Sequence, residues 1–375
     1  MNVLNHPKKV LHVVSAMNRG GVETLIMNIY RNVDKNKIQF DFITHREEVC
    51  HYDKEIESLG GTIFRIPSLG KVGPIRYLRE ITNILKENDY VALHAHTDYQ
   101  CGFPVLAANL TGIKKRISHS HSNNWGFGNS YKAKIKLSML RALIRYNSNE
   151  FCACSVESGQ FLFGNQKRNI RIFKNGIDIK NFQIIPDCYQ SVRAELNIPN
   201  SSKILGHVGT FSKSKNQQFI LNILKEIINS RTDIYVVFVG EGPLKKEIET
   251  EAKRYKLENH VRFLGVRNDI ARLMQAFDVL LFPSIFEGFG IVTIEAQSLG
   301  TPCIASNNVT TKTDMGLGII KYLALNRNVE EWIQEISNTF EFERQDQEEI
   351  MRHIVGNGYN IIDIIPEWLS LYGEI

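Results

Sequence analysis

The sequence has little of what metal-binding and redox-active proteins carry. Its cysteines form no CxxC pair and have no histidine at ligand spacing; the six stand at positions 50, 101, 152, 154, 188 and 303. Structural zinc sites need closely spaced Cys and His ligands, and redox motifs need paired cysteines. The pattern therefore predicts isolated thiols and no metal site.

The sequence also lacks a membrane-spanning run and a strong charge bias. No stretch approaches the roughly 18 apolar residues that a transmembrane helix needs, and the apolar run at 10–14 is too short for a signal peptide. We therefore expect a cytosolic protein. The formal net charge of +5 is mild for this length, so no nucleic-acid partner is expected.

What the sequence does contain is enough material for two packed domains. Its 375 residues exceed the usual single-domain size, and a hydrophobic fraction of 43% is typical of a folded protein. Strand patterns recur in front of helix patterns, which predicts parallel βαβ units and an α/β fold. The domain boundary is expected near Ile177.

The expected strands follow from short apolar runs. They lie at 10–14, 40–43, 62–66, 91–94, 116–119 and 151–154 in the first half, and at 204–208, 235–239, 261–264, 279–282 and 303–305 in the second. The strand at 151–154 is expected to be the last before the crossover. Helices are clearest at 75–87 and 216–229, and another is expected to start at the Gly-Gly pair that follows the first strand.

The most informative segment is the Glu-Gly-Phe-Gly stretch at 287–290, which follows the strand expected at 279–282. A helix start offers free N–H groups to anions, and glycines let a pyrophosphate approach the backbone. A second carboxylate, Glu295, is expected about two turns into the helix, where it can accept hydrogen bonds from a sugar diol. A nucleotide-sugar is the kind of ligand that offers phosphates and hydroxyls together. Each glutamate alone also fits an ordinary helix-terminal or solvated position.

This Glu-x7-Glu element resembles the donor site of retaining glycosyltransferases of family 4. Their GT-B fold has two Rossmann-like, doubly wound parallel-sheet domains that face each other across a cleft. Other family segments match in order: Gly20-Gly21-Val22-Glu23-Thr24, Asn175-Gly176-Ile177-Asp178, Lys215-Asn216 and Val239-Gly240-Glu241-Gly242-Pro243. The segments 117–121 and 295–297 are similar, more narrowly, to capsule and exopolysaccharide enzymes.

The resemblance implies a division of labour between the domains. Residues 1–176 form an N-terminal, acceptor-side domain, against which a closing helix within 356–375 packs. Residues 177–355 form the C-terminal domain that binds the nucleotide-sugar donor.

The resemblance also implies roles for single residues. Glu295 holds the ribose hydroxyls, Glu287 orients the transferred sugar, and the diphosphate meets the backbone of Gly20 and Gly21. His121, in preference to His119, touches the donor sugar. The remaining donor contacts are Gly288, Phe289, Gly290 and Ile291. His94 and His96 end a neighbouring strand, where an acceptor-facing role and a structural role both stay open.

One position departs from the family pattern. An arginine after the strand at 204–208 usually joins Lys215 in neutralising the leaving diphosphate, but here Thr210 stands in its place. Lys213 is the candidate for the missing charge. A cation beside a developing phosphate charge is a large term in catalysis, so the departure bears on activity.

The implied reaction is metal-independent and needs no cofactor, because the chain has no D-x-D pair of the kind metal-dependent transferases use. A hexose or N-acetylhexosamine passes, with retention, from a nucleoside-diphosphate sugar, with UDP favoured, to a hydroxyl of a growing, lipid-linked glycan. Two alternatives stay open: a non-hydrolysing nucleotide-sugar epimerase, and a nucleotide-sugar-binding protein with a decayed site.

The segment 131–146 mixes five basic residues with apolar ones at helical spacing. Such a helix either packs against the core with a solvated face or adsorbs to an anionic membrane. A lipid-linked acceptor would suit the second interpretation, with the protein peripheral at the inner face of the cell membrane.

Overall fold

In the computed structural model, residues 6–122, 128, 130–164 and 169–373 are described. Their contacts divide the chain into two compact units, Met1–Ile177 with Tyr359–Ile375 (unit 1) and Asp178–Gly358 (unit 2). The first segment of unit 1 ends at Ile177, one residue beyond the expected end at 176. The chain returns to unit 1 at Tyr359, three residues later than the expected start at 356.

Unit 1 is built on a seven-stranded parallel sheet. Its strands are β1 Lys8–Val13, β2 Ile38–Thr44, β3 Ile63–Arg65, β4 Tyr90–Ala95, β5 Lys115–Ser120, β6 Glu150–Ala153 and β7 Ile170–Ile172. They lie in the order β3-β2-β1-β4-β5-β6-β7.

Helices connect these strands and cover the sheet. They are α1 Gly21–Asn32, α2 Asp53–Ser58, α3 Leu69–Glu87, α4 Gly102–Leu110, α5 Tyr131–Asn147 and α6 Val156–Phe163. The start of α1 at the Gly-Gly pair is confirmed. Helix α3 begins earlier than the sequence predicts and is kinked at Gly73, whose φ of 75° is a left-handed conformation.

Unit 2 repeats the architecture with six parallel strands. They are β8 Lys203–Val208, β9 Ile234–Val239, β10 Val261–Phe263, β11 Val279–Phe282, β12 Cys303–Ser306 and β13 Ile320–Leu323. Their order is β10-β9-β8-β11-β12-β13.

Seven helices belong to unit 2. They are α7 Cys188–Glu195, α8 Gln217–Ile227, α9 Lys245–Arg254, α10 Ile270–Ala276, α11 Ile291–Gln297, α12 Val329–Thr339 and α13 Gln347–Gly356. Helix α8 turns its Ile and Leu side chains to the sheet, where they are fully buried, as the predicted amphipathic pattern requires.

The chain then returns to unit 1 through α14, Ile361–Leu369. Trp368 and Leu371 are fully buried in the same core as β1, β2 and α1. The Trp368 indole N–H donates to the Tyr372 hydroxyl at 2.6 Å. Unit 1 is therefore completed by residues from the far end of the chain.

Two strands were not predicted from the sequence. β7 extends the first sheet beyond β6, so the expectation that 151–154 is the last strand is wrong, and β13 extends the second sheet beyond β12. Both are short edge strands with an exposed position, so neither shows a long apolar run. The parallel α/β fold itself is confirmed.

The packing of β8 leaves no room for a side chain at Gly206. A methyl group added there would overlap the buried ring of Phe277. Gly206→Ala should therefore lower the free energy of unfolding by about 1–3 kcal/mol. Urea denaturation measures this through the transition midpoint.

Gly356→Ala is the matched control. Its added methyl meets no described atom within 4 Å, so the free energy of unfolding should change by about 0.5 kcal/mol or less. Equal midpoints for the two variants would contradict the packing of Gly206 against Phe277.

Candidate functional site

In unit 2 the candidate residues lie where the strand order reverses. β8 and β11 are neighbours, with Leu205 paired to Val279 and Gly206 to Leu280. Because parallel strands end at the same sheet edge, the loops after β8 and β11 must meet there. Such a reversal point is where open α/β sheets bind ligands.

The two loops are joined by an ion pair. Lys215 Nζ lies 2.5 Å from Glu287 Oε2, and their side chains are only 18% and 15% exposed. The ammonium also lies 4.6 Å from the ring centroid of Phe282, a favourable cation–π distance. The Ile285 N–H donates to the carbonyl of Ser214 at 2.7 Å, which fixes the loops to each other.

The turn at 287–290 (the glycine turn) leads into α11. Gly290 has a φ of 95° and precedes the first helical residue, Ile291, a conformation that favours glycine. Phe289 is buried and Gly288 is exposed. The glycine turn therefore offers backbone to solvent beside the Lys215–Glu287 pair.

Glu295 stands closer to the glycine turn than expected. It is the fifth residue of α11, just past the first turn, and the expectation of about two turns is wrong because left-handed Gly290 delays the helix start. Its side chain is half-buried, and burial raises the pKa of the Glu295 carboxyl to about 7.

A second glycine-containing turn supports the loop after β8. Cβ atoms at Gly240 and Gly242 would overlap the carbonyls of Gly209 and Phe211. These glycines permit close backbone approach, which accounts for the Gly-Glu-Gly sequence at 240–242. Thr210 and Lys213 are both exposed on this loop.

In unit 1 the helix α1 begins directly after the β1 loop. Gly20 is the residue before its first turn, and the carboxylate of Glu23 folds back to lie beside it. Burial raises the pKa of Glu23 to about 7. The start of α1, where a phosphate is expected to bind, therefore already has the Glu23 carboxylate beside it.

His121 belongs to a group of five histidines, which we call the histidine cluster. Its ring lies among those of His12 in β1, His94 and His96 at the end of β4, and His119 in β5, with neighbouring ring centroids 4.1–5.4 Å apart. His96 Nδ1 lies 3.0 Å from His121 Nε2. Burial lowers the pKa of His121 to about 3, so its ring is neutral.

Family models match both halves of the chain. The model "Glycosyltransferase Family 4" matches residues 19–181, and "Glycosyl transferases group 1" matches 189–358. The "Putative glycosyltransferase EpsF" of Bacillus subtilis (strain 168) is 40% identical over 369 residues, covering 97% of this chain and 96% of EpsF. The chain belongs to glycosyltransferase family 4.

Further similarities agree with this family membership. The capsular polysaccharide biosynthesis glycosyltransferase CapH of Staphylococcus aureus is 25% identical, over 80% of this chain and 81% of CapH. The crystal structure of Anabaena HepE with UDP and glucose has a TM-score of 0.78 at 19% identity, covering 97% of this chain and 98% of HepE. This family 4 enzyme has the GT-B fold and is a glycosyltransferase of the exopolysaccharide and capsule type.

The structure thus brings some of the predicted residues of this glycosyltransferase together. Within unit 2, Lys215, Glu287 and the glycine turn form one group, and Glu295 follows it on α11. Within unit 1, Gly20 and Gly21 follow β1 while His121 follows β5. His12 was not recognised from the sequence as a neighbour of His94, although the two occupy paired positions on adjacent strands.

Helix α5 of the glycosyltransferase has two apolar faces. Leu140 and Ile144 are buried. A second set of four apolar side chains is exposed on the opposite side of the helix, and we call this set the α5 stripe. Its members are Tyr131 (80% exposed), Ile135 (43%), Met139 (68%) and Tyr146 (79%). Among the described residues, no helix is both long and apolar enough to cross a bilayer.

Proposed function

We propose that this enzyme transfers a hexose or N-acetylhexosamine from a UDP-sugar to a hydroxyl of a growing lipid-linked glycan. Retention is part of the proposal because the Glu-x7-Glu element resembles that of retaining enzymes. The observation that carries it is the Lys215–Glu287 pair beside the glycine turn. The similarity to HepE, whose structure contains UDP and glucose, supports a uridine donor.

Lys215 has the leading role in the proposed chemistry. As the bond to the sugar breaks, negative charge grows on the leaving diphosphate, and a cation fixed beforehand stabilises that charge at little reorganisation cost. Glu287 and the Phe282 ring hold the ammonium in position. The backbone of Gly288, Phe289, Gly290 and Ile291 supplies further contacts, so no metal is proposed at the diphosphate.

Glu287 changes partners in this scheme. A diphosphate draws Lys215 towards itself, which frees the Glu287 carboxylate to accept hydrogen bonds from hydroxyls of the transferred sugar. In the proposal His121, whose ring is neutral, contacts the donor sugar. Thr210 and Lys213 lie exposed on the same loop; in the proposal both contact the donor, and Lys213 supplies the charge that Thr210 lacks.

The diphosphate also meets the start of α1 at Gly20 and Gly21 in the proposed scheme. Free N–H groups and the helix dipole favour an anion there. The Glu23 carboxylate lies beside Gly20, so it must withdraw or take up a proton when the diphosphate binds.

Lys215→Met tests the leaving-group role. It should lower kcat for transfer by about 100- to 1,000-fold, the usual loss when a group that stabilises transition-state charge is removed. Transfer is measured from the UDP-sugar that gives the largest thermal shift to a synthetic polyprenyl-diphosphate-linked saccharide, with EDTA present. Lys246→Met, at an exposed lysine on α9 outside the proposed site, is the matched control and should change kcat by less than about tenfold.

Three outcomes would contradict the proposal. They are normal turnover by Lys215→Met, a strict requirement for added Mg²⁺, and formation of an epimer when the donor is incubated without acceptor. The last outcome, read by NMR, would identify a nucleotide-sugar epimerase.

Glu295→Gln tests the ribose contact. An ionised carboxylate accepts two hydroxyl hydrogen bonds, so UDP affinity of the native enzyme should rise as pH rises through the raised Glu295 pKa of about 7. The variant should bind UDP at least about tenfold more weakly at pH 8 and lose that part of the pH dependence. Isothermal titration from pH 6 to 8 measures both; identical curves for the two proteins would remove Glu295 from the site.

The α5 stripe supports a membrane-bound acceptor. At 100° per residue its four side chains fall within about 80° of one another, and Lys132, Lys134 and Lys136 flank them. We propose that this face of α5 binds to an anionic bilayer, with its apolar side chains inserted into the membrane surface and its lysines near the lipid headgroups. The enzyme is then peripheral at the membrane that holds its acceptor.

Replacing Ile135 and Met139 by serine should weaken binding to phosphatidylglycerol-containing vesicles by at least about tenfold, because two inserted apolar side chains are lost. Co-sedimentation measures the affinity, which should also fall as salt rises. Leu110→Ser, at an apolar position 65% exposed on α4, is the control and should bind normally. Equal pelleting with neutral phosphatidylcholine vesicles would overturn the assignment.

A further inference from the structure

The histidine cluster contains more imidazole than the proposed transfer uses. His12, His94 and His119 are fully buried and His96 is 6% exposed, whereas His121 is half-buried. They come from β1, β4 and β5, which adjoin at the reversal of strand order in unit 1. Only His121 has a proposed contact with the donor.

Hydrogen bonds within the cluster leave some of its nitrogens without partners. His12 Nδ1 lies 3.1 Å from His96 Nε2, and His96 Nδ1 lies 3.0 Å from His121 Nε2. A neutral imidazole has one N–H and one lone-pair nitrogen. Whichever way the protons run, both ends of this chain, His12 Nε2 and His121 Nδ1, are buried and unpaired among the described residues.

A second chain ends in the same way. Tyr372 Oη lies 3.0 Å from His94 Nδ1, and His94 Nε2 lies 3.2 Å from His119 Nδ1. His119 Nε2 is the other nitrogen of that ring, and it is buried with no partner in the described part of the chain. An unsatisfied buried nitrogen costs about 1–3 kcal/mol.

We propose that His96, His119 and His121 bind one zinc ion. One ring nitrogen from each lies within 4.8 Å of the others, and two ligands of a tetrahedral zinc are about 3.3 Å apart at ordinary Zn–N distances. Small side-chain shifts bring the three nitrogens to that spacing. Three histidines leave the fourth position open.

The surrounding histidines are placed to orient these ligands. His12 Nδ1 is hydrogen-bonded to His96 Nε2, and His94 Nε2 to His119 Nδ1, so the proposed ion would use the other nitrogen of each ligand, His96 Nδ1 and His119 Nε2. Metal-bound histidines usually donate their second N–H to a hydrogen-bond acceptor, and here the facing ring nitrogens of His12 and His94 can accept it. The ion uses the lone pair of His119 Nε2, and imidazole ligands favour zinc over magnesium or calcium.

The alternative set of His12, His94 and His96 also has its nitrogens within range. Its three rings are buried, whereas half-buried His121 gives the chosen set a side open to an entering ion.

The test uses the untagged, full-length protein after chelator treatment, titrated with zinc chloride in a calorimeter. One zinc should bind per chain, and His121→Gln should weaken binding by at least about 100-fold, since loss of an outer-shell partner alone costs 10- to 100-fold. His51→Gln, at an exposed histidine bonded to Asn18, should bind as the native protein does. No stoichiometric binding, or equal affinity in His121→Gln, would overturn the proposal.

Cobalt binding tests the site in the native protein by absorption spectroscopy, so the result does not depend on whether a variant folds correctly. Co²⁺ added to the native protein should develop the intense visible absorption of a four-coordinate ion, and zinc should displace it. A spectrum that stays that of the six-coordinate aqueous ion would rule out the site.

Zinc should also inhibit transfer, because the ion takes the His121 ring away from the donor sugar. This consequence rests on the proposed function, whereas the binding measurements do not. Zinc that binds without inhibiting would exclude His121 from donor contact and leave the metal site standing.

Discussion

The reversal of strand order in each sheet is the constraint on which the candidate chemistry depends. In unit 2 it makes β8 and β11 neighbours, so the loops after them leave the same edge and meet as Lys215 and Glu287. In unit 1 it makes β1 and β4 neighbours, and His12 faces His94 in register. Residues more than seventy positions apart thus become adjacent because parallel strands all end on one side.

The Lys215–Glu287 pair illustrates why such an edge suits a charged ligand. Burying two charges is expensive, and their attraction recovers the cost only with good geometry and additional contacts. Here the ammonium has both, a carboxylate at 2.5 Å and an aromatic ring at 4.6 Å. In the proposed reaction, a phosphate that exchanges for the carboxylate meets a cation already largely shielded from water, which strengthens its stabilisation of transition-state charge.

Sequence patterns predicted the interior of the fold well and its margins poorly. The strand at 279–282 agrees residue for residue with β11, because a buried parallel strand is a continuous apolar run. β7 and β13 were not predicted because an edge strand of three or four residues has no such apolar run. The depth of Glu295 in α11 was misjudged because left-handed Gly290 sets where that helix begins. The sequence placed His94 and His96 at the end of a strand, whereas their meeting with His12 depends on strand register.

The histidine cluster poses an energetic problem that the fold alone does not solve. Apolar side chains of similar size would fill the same space without unsatisfied nitrogens, and three such nitrogens cost several kcal/mol at about 1–3 kcal/mol each. Changing tautomers only moves the unpaired N–H from one end of the His12–His96–His121 chain to the other. Protonation adds a donor, but burial strongly disfavours the charged ring. A bound cation differs because it uses the ligands' lone pairs and leaves His96 and His119 free to donate their other N–H to His12 and His94.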